Sequence, residues 1–305
     1  MTAPVPIPAP QALAQNARGI AIMLAGILFF TLMDALARHL MRAGYDPMQV
    51  VWARYTGQFV FVMIVVARHL PGILRTRHPV AQCIRSILQF AATSLFFLGL
   101  AHIGLAEATA IMDVNPVLIT LGAALFLGER IGPRRLAGIL VALAGALIVI
   151  RPGAGVFSAA ALFPLGAAAC YAGFALITRW IGGRDGIWTS LAYAALVGTV
   201  ATSAMQPFVW RPVAAGELWG FLLIGGLGVA GQLCILRAFT IAEAGVVAPF
   251  AYVGLVFATL WGFAFFAELP DRWTVAGAAL IVAAGLYVWY RETRLARRGG
   301  PKRPA

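Results

Sequence analysis

About ten apolar stretches of roughly 20 residues follow one another through this chain, each long enough to cross about 30 Å of hydrocarbon as a helix. They fall near 19–40, 48–67, 82–102, 107–127, 134–150, 157–178, 188–208, 217–236, 246–267 and 273–290. Hydrocarbon offers no hydrogen bonds, so each crossing segment must satisfy its own backbone, which a helix does. Little remains beyond short loops and two tails. The sequence therefore predicts an all-α integral membrane protein with ten transmembrane helices, whose work is done inside the bilayer.

The chain is 61% hydrophobic and 11% charged, against about 25% charged in a soluble domain. Its net charge of +12 would suggest nucleic acid in a soluble protein, but here the placement of the charge decides. With the N-terminus inside, seventeen cations fall on cytoplasmic segments, six of them between Arg291 and Arg303, and Arg38, Arg42, Arg151, Arg211 and Arg272 fall outside. The positive-inside rule then puts both termini in the cytoplasm of an inner-membrane protein. The basic tail, 292–305, reads as a topology signal in contact with lipid headgroups rather than a nucleic-acid site. Residues 1–18, rich in Pro and Ala, read as a disordered cytoplasmic tail. Cys83, Cys170 and Cys234 match no metal spacing; no metal and no cofactor are expected.

The two halves of the chain resemble each other. Leu105-Ala106-Glu107-Ala108 returns as Ile241-Ala242-Glu243-Ala244, Phe126-Leu127-Gly128-Glu129 as Phe265-Phe266-Ala267-Glu268, and Leu136-Ala137-Gly138 as Val275-Ala276-Gly277. Each half holds five spans. An odd number inverts the second half relative to the first, a recurring plan in secondary transporters.

These residues resemble the drug/metabolite transporter superfamily, specifically its ten-span EamA-type members. The resemblance rests on the Ala-Glu-Ala entries to spans four and nine, Leu127-Gly128-Glu129-Arg130, Ile148-Val149-Ile150-Arg151-Pro152-Gly153 and Ala248-Pro249-Phe250-Ala251-Tyr252. It divides the chain into a first repeat at 19–153 and a second at 157–291. It implies alternating access, a cavity lined by spans one, three, four, six, eight and nine, and a cargo such as an amino acid, riboflavin, S-adenosylmethionine or a similar metabolite. Where the family often has Gly-Glu, this chain has Ala267-Glu268.

Few polar groups lie deep in the spans, and each is costly there. Asp34 lies about six residues, or roughly 9 Å, inside span one; Arg38, four residues on, offers it a local ion pair. Asp113 lies at similar depth in span four, followed by Asn115 and Pro116. Arg54 lies at similar depth in span two. Matched depth on three helices points to one electrostatic unit of Asp34, Arg54 and Asp113, acting as proton site, gate or substrate clamp; structural glue is the alternative. Arg85 and Gln89 share a face of span three. Gln232 in span eight, Tyr171 in span six, and Tyr252 and Trp261 in span nine complete the substrate- or proton-binding candidates. Pro116 and Pro249 each remove a backbone donor and are the candidate hinges. Glu129 and Glu268, recurring at helix ends, point to a structural role at loop entry.

No P-loop, G-x-S-x-G or H-E-x-x-H motif is present, which argues against ATP hydrolysis and enzyme chemistry. The cargo is expected to be a small molecule. A membrane-embedded enzyme, or a channel or assembly protein with no transport cycle, is the alternative. Gly225, Gly228 and Gly231 give span eight small-residue spacing that suits either a homodimer or contacts within the chain.

Overall fold

The computed structural model describes residues 9–66, 76–127, 133–150, 159–181, 185–242 and 248–298. Every regular element among them is helical: α1 (Ala9–Arg42), α2 (Pro47–Val66), α3 (Pro79–Leu100), α4 (Leu105–Met112), α5 (Asn115–Leu127), α6 (Pro133–Ile150), α7 (Leu162–Ile181), α8 (Ile187–Val209), α9 (Leu218–Ile241), α10 (Val253–Phe266) and α11 (Arg272–Arg298). Single 3-10 turns at Ala159–Ala161, Ala215–Glu217 and Ala248–Tyr252 lead into α7, α9 and α10. Seven of these segments are long and apolar enough to cross a membrane, counting α4 and α5 as one. Three shorter apolar helices, Leu136–Ile150, Phe250–Phe266 and Arg272–Tyr287, occupy the remaining predicted spans.

Helix runs into both tails. Helix α1 begins at Ala9, so residues 9–18, expected to be disordered, are helical. Pro10 is tolerated because the first turn of a helix has no intrahelical use for its N–H. Helix α11 likewise continues to Arg298, well into the expected basic tail. Glu129, Glu243 and residues 151–158 lie outside the described residues.

Spans four and nine are interrupted. Span four breaks at Asp113 and Val114, between α4 and α5. Pro116 has no N–H to give the carbonyl four residues back, at Met112. The Asn115 side-chain amide gives one instead, bonding Met112 O at 2.9 Å. The break is thus closed by its own side chain. Span nine starts as the Ala248–Tyr252 turn, containing Pro249, and becomes α-helical only at Val253.

Helix α1 packs chiefly on α9, α3 on α7, α2 on α8, and α6 on α11; α4 packs on α10. Lipid gives helices no hydrophobic reason to associate, so close backbone approach carries much of the packing. A Cβ on Gly57 would stand 2.8 Å from the Gly225 Cα, joining α2 to α9. A Cβ on Gly277 would stand 2.5 Å from the Gly145 carbonyl, joining α11 to α6. Gly228 faces Met33 and Arg54, and Gly231 faces Phe30. The three glycines of span eight named above are therefore used in contacts within the chain.

Candidate functional site

A cavity of about 260 Å³ lies between α1, α2, α3, α4, α7 and α9. Its apolar wall is Phe30, Met33, Phe96, Phe97, Met112, Phe174 and Ile235, and its polar wall is Asp34, Arg54, Gln89, Thr93, Thr109, Tyr171 and Gln232. Helical spacing assembles it: Phe30 and Asp34 are one turn apart on α1, and Gln89, Thr93 and Phe97 succeed one another by fours on α3.

Arg54 is almost fully buried. Its Nη1 donates to Thr93 Oγ1, and the guanidinium carbon lies 5.2 Å from the Tyr55 ring centroid. The Thr93 hydroxyl proton is committed to the Gln89 carbonyl, at 3.1 Å. One hydroxyl has one proton, so the Tyr55 hydroxyl, 3.2 Å away, is the donor to Thr93. Arg54 is thereby held from one side. Asp34 interacts electrostatically with Arg54 without a contact ion pair. The cavity thus presents a carboxyl and a guanidinium on separate helices, both facing the same space.

The other candidates fall elsewhere. Asp113 is not on this wall: one of its carboxyl oxygens, Oδ2, is enclosed with no hydrogen-bond partner, and its electrostatic neighbour is Tyr252. Arg38 does not pair with Asp34; its side chain reaches Glu268 instead, at 2.7 Å, where α1 finishes. Arg85 lies behind the cavity, its guanidinium carbon 5.0 Å from the Phe174 ring centroid. It bonds Gln82 Oε1 at 3.1 Å and the Ser190 carbonyl at 2.8 Å, tying α3 to α8. Gln82 and Thr76 in turn donate to Asp185, at 2.8 and 2.6 Å. Trp261 donates to Thr31 Oγ1 at 3.1 Å and stacks on Phe265. Tyr252 drives its hydroxyl against Gly285, where a Cβ would be 1.7 Å away. Span nine thus supplies none of the cavity lining named here, and span two, through Arg54, supplies what span nine was expected to. Asn115 and Pro116 stay at the break, outside the lining.

A model of the EamA-like transporter family matches the chain twice, over residues 17–151 and 158–290. The chain belongs to the EamA-like transporter family. This EamA-like transporter is 29% identical over 279 residues to a riboflavin transporter of Rhizobium johnstonii, covering 91% of this chain and 92% of that one. It is 31% identical over 274 residues to a pseudopaline exporter of Pseudomonas aeruginosa, covering 87% and 94%. It is 25% identical over 276 residues to an S-adenosylmethionine uptake transporter of Rickettsia bellii, covering 90% and 94%. A crystal structure of a protein 20% identical to it shares its fold, with a TM-score of 0.62 over 93% of this chain and 99% of the other. The EamA-like chain is a multi-pass membrane protein and a small-molecule transporter.

Two cavity residues of this EamA-like transporter escaped the sequence reading. Thr93 and Thr109 line the cavity as neutral hydroxyls, whose only signal was spacing from Gln89 and proximity to Asp113. Glu268, read as having a structural role at loop entry, receives both Arg38 and Arg42. Those three line a second, polar cavity of about 630 Å³ with His102 and Asp271, at the end of the bundle where α1 finishes.

Proposed function

We propose that this chain is a secondary transporter working by alternating access, with Asp34 and Arg54 as the two poles of its substrate site. The single observation carrying the reading is that both charges face one cavity without bonding each other. Each is expensive in a membrane interior, and a solute bearing a cationic and an anionic group beside an apolar body answers both. Gln89 and Gln232 orient such a solute, and Phe30, Phe96, Phe97 and Phe174 cover its apolar part.

Alternating access requires a closure at each end of the site. Arg38 and Glu268 supply one where α1 ends, and the Arg85, Gln82 and Asp185 chain supplies the other where α3 begins. The helix pairing supports two inverted five-span repeats. Exchanging the halves turns the pair of spans one and eight into six and three, and leaves the pairs two with seven, four with nine and five with ten unchanged. The charge distribution supports an inner-membrane orientation with both termini cytoplasmic. No enzymatic role is proposed.

Purified protein is screened by thermal shift against amino acids, nucleosides, riboflavin and S-adenosylmethionine, and each stabilising compound is tested for counterflow in liposomes. Saturable counterflow that Asp34→Asn abolishes supports the reading. Unsaturable flux, or counterflow indifferent to Asp34→Asn and to Arg54→Ala, overturns it. A reporter fused after Leu295 tests the orientation; periplasmic behaviour there reverses it.

A further inference from the structure

Asp113 is the buried ionisable group that the substrate cavity does not use. It sits where span four breaks, as the residue closing α4, with backbone φ −67° and ψ 0°. Its carboxyl oxygen Oδ2 is walled off and has no hydrogen-bond partner. The facing titratable group is the Tyr252 hydroxyl, carried on the turn that interrupts span nine. Helix α4 packs against α1, α3, α6, α7, α10 and α11. Among the described residues, none of these brings a charged side chain into play on the Asp113 carboxyl. Among the described residues, the Tyr252 phenol, carried on the turn that interrupts span nine, is thus the titratable group that interacts with the Asp113 carboxyl at the break in span four.

We propose that Asp113 is a proton-binding site of the transport cycle, distinct from the substrate poles, with the proton on the carboxyl in this conformation. An ionised carboxylate with an enclosed, unpartnered oxygen and no cation beside it is the costly form in a membrane interior. Binding a proton from water converts it to a neutral acid, and no other bond changes. A sodium ion suits this geometry less well. Hard metal cations take about six oxygens, and the carbonyls at the break are engaged: Met112 O by Asn115, Thr109 O by the Asp113 N–H at 2.9 Å, and Ile111 O by the Val114 N–H at 3.2 Å. A proton needs one oxygen. The residue as a whole keeps partial exposure, which leaves a route for that proton.

The proton also has a consequence for movement. Met112 and Thr109, on the same short helix, line the substrate cavity. Opening the break to water favours the ionised acid and shifts α4, so loading of the cavity and loss of the proton are linked through one turn of helix. This coupling rests on the transporter reading; the proton site itself does not.

The test needs no substrate. Infrared spectra of the purified full chain are recorded at pH 7 in sodium and in potassium buffers, with exchange into deuterium oxide to identify the carboxylic acid C=O band. The expected result is a protonated-carboxyl band that Asp113→Asn removes, that Asp34→Asn retains, and that is the same in both salts. If Asp113→Asn does not fold, Tyr252→Phe takes its place and should shift the band, because it removes the facing hydroxyl. A band missing at pH 7, kept in Asp113→Asn, unmoved in Tyr252→Phe, or abolished by sodium alone overturns the proposal. Such a failure alongside intact counterflow leaves the transporter reading standing, and absent counterflow with the band in place does the reverse.

Discussion

Arg38 and Glu268 stand 230 positions apart in sequence and 2.7 Å apart in space. The same guanidinium donates to the Leu100 carbonyl at 2.6 Å and to the Ile103 carbonyl. One side chain thus pins α1 to the corner between α3 and α4 and to the connection between α10 and α11. Arg38→Ala strands two carbonyls, leaves Glu268 to Arg42 alone, and is expected to cost about 3 kcal/mol. Glu268→Gln, which leaves the carbonyl bonds in place, is expected to cost less. Thermal unfolding in detergent checks the order, and equal losses would show that the carbonyls carry nothing.

Ala267, just before Glu268, has φ 54° and ψ 30°, a left-handed conformation that its Cβ resists. Strain of this kind costs about 1–2 kcal/mol, and glycine escapes it. Ala267→Gly is expected to stabilise the protein by about 0.5–1 kcal/mol, the gain being reduced by the looser unfolded chain. A lowered melting temperature would contradict this.

The Asn115 amide and the missing N–H of Pro116 compensate each other at the Met112 carbonyl. Asn115→Ala should therefore cost about 1–2 kcal/mol by orphaning that carbonyl. Asn115→Ala combined with Pro116→Ala should cost less than Asn115→Ala alone, since the backbone N–H returns. Strict additivity in a double-mutant cycle would refute the exchange.

Asp34→Asn and Arg54→Ala are each expected to reduce binding of a solute carrying both charges at least tenfold, about 1.4 kcal/mol. Membrane insertion should survive in Asp34→Asn, because its carboxyl has no contact ion pair to lose. Isothermal titration with the best compound of the thermal-shift screen measures the loss. Unchanged affinity in both variants would move the site elsewhere.

Asp185 lies in the connection between α7 and α8, outside the spans. Desolvation raises its pKa, but hydrogen bonds from Gln82 and Thr76, with the charges of His78 and Arg85, outweigh that and hold it below the usual carboxylate range. A group lowered in the folded state stabilises above its unfolded pKa, and that contribution disappears as pH falls through the folded value. Wild type should therefore lose stability below about pH 4, the ordinary Asp range. Asp185→Asn should be about 1 kcal/mol less stable at pH 7 after solvent screening, and should lose less on acidification. Parallel acid profiles of the two proteins would exclude this role.

The spans were legible because a 20-residue apolar run has one stable form in hydrocarbon. The breaks were legible too, since Pro116 and Pro249 each delete a donor. Helix ends were not: Ala9–Arg18 and Arg291–Arg298 are polar enough to leave the bilayer, yet they continue helices nucleated within it. At the site, counting residues gave Asp34, Arg54 and Asp113 a common depth along their spans. Depth says nothing of direction around the helix axis, which packing sets. That is why Asp34 and Arg54 share a cavity while Asp113 turns toward Tyr252. The partner of Arg38 was hidden for the same reason, with the nearby Asp34 standing as the obvious but unused choice.

Gly145 and Gly277 bring α6 and α11 together at bare backbone, with the Val149 and Ile281 side chains closing on the contact from either side. Smooth cylinders can slide; these two cannot, because a shift of one residue drives a branched side chain into a neighbour's main chain. Neither helix contributes to the substrate cavity. Spans five and ten therefore form the keel of the molecule, locked to each other at bare backbone, and the cavity is lined from the flank that the keel does not hold.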